Sequence, residues 1–316
     1  MKVAIIYSYW HYLSLKSYLN FSEINRIYVK ESVFKTLSDL ASFKTLQVLP
    51  DIYFDSFWQN LKYRDYELSS VNSENITLYC ADLVNPFSCL VYSWLRKRNN
   101  VAVCFLYDGT LNLVMATPSV RHRLFDHIRN FVFAAVYNFQ YPRKKRFLTG
   151  LDLDAVHVQL LPNKINATFD YKVLKVPLFL APPRKEQRDL IVYIEQNIEL
   201  MNDRYDYWWQ MLNTYVRNYC PKSEIIIAKH PQSNLRYDNE LSRKHQALEE
   251  DICDLQPSHV ISHNSSALVN LRGMGYLGDL VALNPFKFTR TVGRSNASAT
   301  EICKLFYQNK VRVVEL

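Results

Sequence analysis

Short apolar runs alternate with helix-like stretches along the first half of the chain. Apolar runs at residues 3–7, 48–49, 75–80 and 101–107 predict strands, and residues 33–43 and 87–98 have helical spacing. The alternation of buried strands with helices indicates a parallel α/β sheet.

The same alternation resumes after a proline-rich segment. Pro177, Pro182 and Pro183 precede a charged stretch at 184–186, a composition typical of a linker. Beyond it, residues 190–194, 224–228, 259–262, 279–283 and 311–315 predict strands, and residues 205–219, 242–255 and 267–273 predict helices. We therefore predict an α/β fold with two domains, residues 1–182 and 183–316.

Polar motifs follow the apolar runs at four places. They are Asp108-Gly109 in the first half and Glu195-Gln196, His230-Pro231 and Ser265-Ser266 in the second. In parallel α/β sheets, ligands bind beyond the carboxyl ends of the strands. Two domains that face each other across a cleft would bring the four motifs together.

Asp108 follows an apolar strand directly. A carboxylate at such a position can act as a general base. Asp-Gly is also a common turn dipeptide, so the dipeptide alone leaves both interpretations open.

The second-half motifs suit an anionic ligand. Pro231 forces an extended backbone at His230, which can then donate to a phosphate oxygen. Ser265 and Ser266 begin a predicted helix, where free N–H groups bind phosphate, although N-capping explains them equally well. Glu249 on the preceding helix either accepts from ribose hydroxyls or faces solvent.

Composition narrows the class of partner. The net charge of +8 favours an anionic partner, and no GxGxxG or GxxxxGK[ST] motif supports dinucleotide or P-loop chemistry. Residues 121–146 hold seven Arg and Lys among Phe and Tyr, so this segment either lies on an anionic membrane or packs its Phe residues inward. No nucleic-acid-binding motif accompanies the charge, so we expect no nucleic-acid partner.

An acid-Gly, a His-Pro and a Ser-Ser motif in this order resemble those of the bacterial sialyltransferases. The motifs span about half of the chain, and one position departs from the family, which often has an acid where this chain has Tyr107. The resemblance implies a GT-B-like fold of two Rossmann-like domains. The first would bind the acceptor, and the second would bind the CMP-linked donor.

The resemblance also implies roles for individual residues. Asp108 would be the catalytic base, and His230 would be the phosphate ligand or acid. Further substrate-binding positions are Ser265 and Ser266 at the CMP phosphate, Pro231, Glu249 and Glu250 at the nucleoside, and Gly109, Gln196 and Asn264 near the substrates.

The implied reaction is an inverting, metal-independent transfer of sialic acid from CMP-sialic acid to a galactoside hydroxyl. The acceptor would be a lipid-linked bacterial surface glycan, such as O-antigen or lipooligosaccharide, and no cofactor is expected. We expect a cytoplasmic protein in peripheral contact with the inner face of the inner membrane. The alternatives are a GT-B enzyme that uses another CMP-nonulosonate or a UDP-sugar, and a non-catalytic protein that binds membrane or glycan.

Overall fold

The computed structural model divides into two compact units. Unit 1 comprises residues 1–112, 117–163 and 170–179, and unit 2 comprises residues 113–116, 164–169 and 180–316. The structure describes residues 1–37, 45–56, 75–83, 85–96, 99–108, 157–162, 164–166, 173–176, 187–196, 204–231, 233–292 and 296–316, with seven single residues between them. The predicted linker at 177–186 lies outside the described residues.

Unit 1 is built on a seven-stranded parallel sheet. Its strands are β1 (Lys2–Ile6), β2 (Arg26–Lys30), β3 (Leu46–Leu49), β4 (Asn75–Cys80), β5 (Asn100–Phe105), β6 (His157–Pro162) and β7 (Val173–Val176). The spatial order is β3-β2-β1-β4-β5-β6-β7. The strand order therefore reverses between β1 and β4, and this kind of switch point is where ligands bind in open parallel sheets.

Helices complete the core of unit 1. Those with described bounds are α1 (Tyr9–Lys16), α2 (Glu31–Phe34), α3 (Ile52–Asp55) and α4 (Pro86–Arg96), with a 3₁₀ turn at Phe21–Glu23. Nine successive residues of α4, from 87 to 95, are buried. A helix that is buried on all sides belongs to a core, and α4 packs its apolar residues against β1, β4 and β5.

Unit 2 is built on a five-stranded parallel sheet. Its strands are β8 (Arg188–Ile194), β9 (Glu224–Ala228), β10 (Pro257–Ser262), β11 (Asp279–Leu283) and β12 (Arg312–Val314). Its helices are α5 (Tyr205–Tyr219), α6 (Leu248–Leu255), α7 (Ser266–Met274), α8 (Pro285–Thr291) and α9 (Asn296–Gln308). The order β12-β11-β10-β8-β9 puts the switch point between β8 and β10.

Unit 2 also includes a short segment that lies between β6 and β7 in the sequence. Ile165 is fully buried there, and its side chain occupies the space that a Cβ on Gly273 would need. The Asn166 backbone N–H donates to Asn309 Oδ1 at 2.8 Å, and Asn309 Nδ2 donates to the Asn166 carbonyl at 2.9 Å. These paired amide hydrogen bonds fix the segment to the end of α9.

The predicted pair of parallel α/β domains is confirmed, and two predicted helices are wrong in length. Residues 33–43 were expected to be helical, but α2 ends at Phe34. Residues 242–255 were expected to form one helix, but only Leu248–Leu255 is helical. The Asp251 carboxylate accepts from the backbone N–H groups of Lys244 and His245 at 2.8 and 3.0 Å, and this local competition favours a non-helical backbone there.

The expected membrane-binding segment at 121–146 lies outside the described residues, apart from Ile128, Phe131 and Ala135. These three residues are exposed, Phe131 to 75%. In the part of the chain that the structure describes, no helix is long and apolar enough to cross a bilayer.

Candidate functional site

Asp108 lies just after β5, beside the first turn of α1. Its Oδ1 atom accepts from the Ser8 hydroxyl at 3.1 Å and lies 2.7 Å from His11 Nε2. The His11 ring is not aligned for a hydrogen bond to Asp108, so the two atoms form a close polar pair. Asp108 is 35% exposed, whereas the His11 side chain is fully buried. Asp108 is therefore accessible to solvent, and its Oδ1 atom is in contact with Ser8 and His11.

Local structure at the end of β1 explains why α1 starts beside Asp108. Ser8 is the N-cap of α1, and its hydroxyl accepts from the His11 N–H at 3.3 Å. Ser8 Oγ can therefore donate to Asp108 while it caps the helix, because a hydroxyl both donates and accepts. The positive end of the helix dipole favours a carboxylate at this position.

A second acid, Asp82, follows β4 at the same edge of the sheet. Its Oδ2 accepts from the Tyr7 hydroxyl at 2.5 Å, and its Oδ1 accepts from the Asn85 N–H at 2.5 Å. Burial raises the pKa of the Asp82 carboxyl, and the hydrogen bonds from Tyr7 and Asn85 oppose that rise. Both oxygens are engaged, so Asp82 fixes the start of α4 and does not present a free carboxylate.

Tyr107 stands where the sialyltransferase pattern often has an acid, and its ring is buried. It packs edge-on against Trp10, with ring centroids 5.8 Å apart, and its backbone N–H donates to Ser14 Oγ at 3.2 Å. This position therefore attaches the end of β5 to α1 and leaves Asp108 as the acid of the motif. Gly109 lies outside the described residues.

In unit 2, the buried Glu195 carboxylate organises the end of β9. Glu195 Oε2 accepts from the His230 N–H at 2.9 Å, and Oε1 accepts from the hydroxyls of Ser233, at 3.2 Å, and Tyr237. Burial lowers the pKa of the His230 imidazole, and the negative charge of Glu195 acts in the opposite direction. The imidazole of the unliganded protein is therefore mostly neutral at pH 7 and can donate one N–H hydrogen bond. Pro231 follows it and is exposed.

The Ser-Ser motif lies at the unit 2 switch point, between β8 and β10. Gln196 Nε2 donates to Ser262 Oγ at 2.8 Å, and Ser262 Oγ donates to the Ile194 carbonyl at 3.0 Å, so the two strand ends are tied together. Ser265 caps α7 by accepting from the Ala267 N–H at 3.2 Å. Because Ser265 Oγ acts only as an acceptor in this cap, its hydroxyl proton can still be donated to another acceptor.

Ser266 is the first residue of α7 and is partly exposed. No described residue hydrogen-bonds to its hydroxyl or to the buried Oδ1 of Asn264. These groups, with Ser265, surround a helix N-terminus of the type that binds phosphate.

The acidic candidates on α6 differ in environment. Glu249 is 4% exposed and accepts from Asn270 Nδ2 at 2.6 Å, which connects α6 to α7. Burial raises the pKa of Glu249, and the hydrogen bond from Asn270 opposes this. Glu250 is only partly buried. Their assignment to a ribose stays a prediction.

Sequence reasoning missed Ser8, His11, Asp82 and, as an anchor of His230, Glu195. One signal for Ser8 and His11 was present: a serine directly after the first strand is a helix N-cap signature, and it places the following turn at the switch point. No local signal joins His11 to Asp108, which lies nearly 100 residues further along the chain.

Comparisons with known proteins find similarity only at the level of structure. No protein-family profile matches, and no curated protein is detectably similar in sequence. The glycosyltransferase of kitacinnamycin aligns over 99% of this chain and 86% of its own, with 10% identity and a TM-score of 0.51. The fold is GT-B-like, with two Rossmann-like domains. At this identity the likeness concerns the fold alone.

Two other solved structures align over most of their length at lower scores. They are UDP-GlcNAc 2-epimerase from Methanocaldococcus jannaschii (11% identity, 97% of this chain and 92% of that one, TM-score 0.42) and MurG from Acinetobacter baumannii (9% identity, 99% and 86%, TM-score 0.41). Neither adds to the assignment of the fold.

Proposed function

We propose that this protein is an inverting glycosyltransferase that moves sialic acid from CMP-sialic acid to a galactoside hydroxyl. The observation that carries the proposal is the position of the motifs. Asp108 lies at the carboxyl edge of the unit 1 sheet beside its switch point, and His230, Ser265 and Ser266 lie around the switch point of unit 2. The GT-B-like fold supports a sugar-nucleotide enzyme, and the motifs support the sialyl donor.

Asp108 is the general base of the proposed reaction. As the acceptor oxygen attacks the anomeric carbon, its proton passes to the Asp108 carboxylate. The new bond joins the acceptor oxygen to the anomeric carbon, and the bond from that carbon to the CMP phosphate oxygen breaks. Attack from the side opposite the leaving group inverts the anomeric centre.

The leaving phosphate receives the bonding electrons and becomes more negative. His230 donates an N–H hydrogen bond to it, and the hydroxyls of Ser265 and Ser266 and the N-terminal amides of α7 provide further donors. Hydrogen-bond donors that are already in place where charge develops lower the barrier without reorganisation. Pro231, Glu249 and Glu250 then border the nucleoside.

The experiment that tests the proposal is a mass-spectrometric transfer assay with CMP-sialic acid and a panel of galactosides. We expect a sialylated product that Asp108→Asn and His230→Ala reduce by about 10² to 10⁴-fold. Asp55→Asn and His245→Ala, which change exposed residues of the same types, are the matched controls and should keep activity. Full activity in both site variants would refute the assignment.

The donor is tested in the same assay. UDP-sugars and other CMP-nonulosonates are supplied in parallel, and turnover with UDP-sugars alone would replace the sialyl donor by the alternative. Absence of any transfer or donor hydrolysis, together with full cellular function of the Asp108 and His230 variants, would favour a non-catalytic binding protein.

The acceptor is proposed to be lipid-linked, which requires contact with a membrane surface. The basic, aromatic composition of residues 121–146 supports this, because such segments bind anionic headgroups through charge and bury their aromatic rings at the interface. Flotation with anionic liposomes should show binding that salt weakens. Equal recovery with neutral and anionic liposomes would contradict the proposed contact.

A further inference from the structure

We propose that His11 is a positioning residue that orients Asp108 for proton abstraction. The inference rests on the proposed function, since it assigns a partner to the proposed base. His11 Nε2 lies 2.7 Å from Asp108 Oδ1, at the carboxyl ends of β1 and β5. The two residues are 97 positions apart in the sequence, and their side chains meet beside the switch point.

The position of His11 is itself tightly fixed. Its side chain is fully buried, and its ring packs edge-on against Tyr7, with centroids 4.3 Å apart. The Tyr7 backbone N–H points to His11 Nδ1 at 3.3 Å. Because Nδ1 accepts this hydrogen bond, the neutral ring carries its proton on Nε2, the atom that faces Asp108. The fold therefore selects the tautomer that can donate to the base.

His11 and Ser8 together occupy one oxygen of Asp108 and leave the other available. Both contacts go to Oδ1, and no described residue donates a hydrogen bond to Oδ2. A carboxylate held at one oxygen directs its second oxygen outward, and in the proposed reaction the acceptor proton passes to Oδ2. The Nε2–H is not yet aligned with Oδ1, which is usual for catalytic hydrogen bonds before substrate binds.

Two amide substitutions separate the two contacts of His11. In His11→Gln, the side-chain amide nitrogen reaches the position of Nε2 and keeps a donor toward Asp108. In His11→Asn, the shorter amide reaches only the position of Nδ1, so it keeps the acceptor for the Tyr7 N–H and loses the donor to Asp108. A purely structural histidine would be replaced as well by asparagine as by glutamine, or better.

We expect kcat for sialyl transfer to fall about 100-fold in His11→Asn, the effect of a misplaced catalytic group. In His11→Gln, kcat should return most of the way to the wild-type value. In both variants, KM for the acceptor should change much less than kcat. His259→Asn is the matched control, because His259 Nε2 lies 3.5 Å from an Asp279 carboxylate oxygen at the opposite, amino-terminal end of the unit 2 sheet. Calorimetric CMP affinity should be unchanged in all three variants.

The outcomes separate the two proposals. If Asp108→Asn abolishes transfer but His11→Asn retains wild-type kcat, the positioning role is wrong and the proposed function stands. If the wild type neither binds CMP nor transfers sialic acid, the proposed function fails. His11 is then tested by nitrogen-15 NMR of the histidine rings, in which we expect the Nε2–H tautomer. An Nδ1–H tautomer would overturn the proposal without any substrate.

Discussion

Acidification should destabilise unit 2 through a single buried histidine, His263. The ring is fully buried and packs against both Trp208 and Phe288, with centroids 4.9 and 5.4 Å away. Its Nδ1 contacts the Leu283 carbonyl at 2.6 Å, and no described residue hydrogen-bonds to Nε2. Burial lowers the pKa of His263 from 6.5 to about 4, and the hydrogen bond to Leu283 opposes this only in part.

The size of this loss of stability follows from the linkage between proton binding and folding. Between pH 6.5 and about 4, the unfolded chain binds a proton at His263 that the folded chain does not bind. The free energy of unfolding therefore falls as the pH is lowered through this window. The difference of 2.5 pH units corresponds to about 3.4 kcal/mol when the loss is complete below pH 4, and to about 2 kcal/mol at pH 5.

The assay is urea denaturation of the wild type and His263→Phe at pH 7 and pH 5. Phenylalanine keeps an aromatic ring beside Phe288 but cannot be protonated. Its loss of the hydrogen bond to Leu283 changes stability equally at both pH values. We therefore expect the free energy of unfolding of the variant, relative to the wild type, to rise by about 2 kcal/mol from pH 7 to pH 5.

A control histidine, His245, should show the opposite dependence of stability on pH. The hydrogen bond to Asp254 raises the pKa of the exposed His245, so His245→Gln removes a group whose ion pair stabilises the fold at low pH. The reasoning about His263 is refuted if the stability difference between His263→Phe and the wild type is the same at both pH values.

Three further substitutions test the close packing at Gly278, the ion pair of Asp251 and the hydrogen bonds of Glu195. Gly278→Ala should lower the free energy of unfolding in urea by about 1–3 kcal/mol, because the new Cβ would lie 2.9 Å from the Pro257 carbonyl oxygen. Asp251→Asn should lower it by about 1.5–3 kcal/mol in thermal denaturation, because it breaks the 2.5 Å ion pair of a buried carboxylate with Arg243. Glu195→Gln should weaken CMP binding in calorimetry, because an amide NH2 would replace one of the two oxygens that together accept three hydrogen bonds.

Matched substitutions separate these effects from general damage. Gly273→Ala would meet the side chain of Ile165 but no backbone atom, and alanine is favoured over glycine within a helix, so it should cost less than Gly278→Ala. Asp254→Asn and Glu224→Gln change exposed carboxylates and should leave stability and CMP affinity near those of the wild type. Equal losses in a variant and its control would contradict the corresponding explanation.

The central strands β1, β4, β5 and β8 were predicted from their apolar runs, which are long because central parallel strands contact helices above and below. The edge strands β3, β9 and β12 were also predicted, although they are partly exposed. β2 was missed because its buried part is only Ile27, Tyr28 and Val29, between Arg26 and Lys30. α1 was missed because buried residues lie all round it, which removes the helical periodicity from its sequence.

The candidate site residues could be found from the sequence, but the residues that contact them could not. Asp108, His230, Ser265 and Ser266 were found because each follows an apolar run directly, and that placement can be read locally. Their partners could not be found, because tertiary structure brings them together: His11 to Asp108 and Glu195 to His230. The burial of Glu249 was equally hidden, since its position in the first turn of α6 is compatible with a solvated face.

The paired amide hydrogen bonds between Asn166 and Asn309 have a consequence for synthesis on the ribosome. The two residues are 143 positions apart, so Asn166 emerges long before its partner exists. At about 5–20 residues per second, the delay is roughly 7–30 s. When β7 has been made, unit 1 has all seven of its strands, but Ile165 still lacks the surface of α7 and Asn166 still lacks its partner at the end of α9. Vectorial folding would therefore leave this segment without its tertiary contacts until the helices of unit 2 are made.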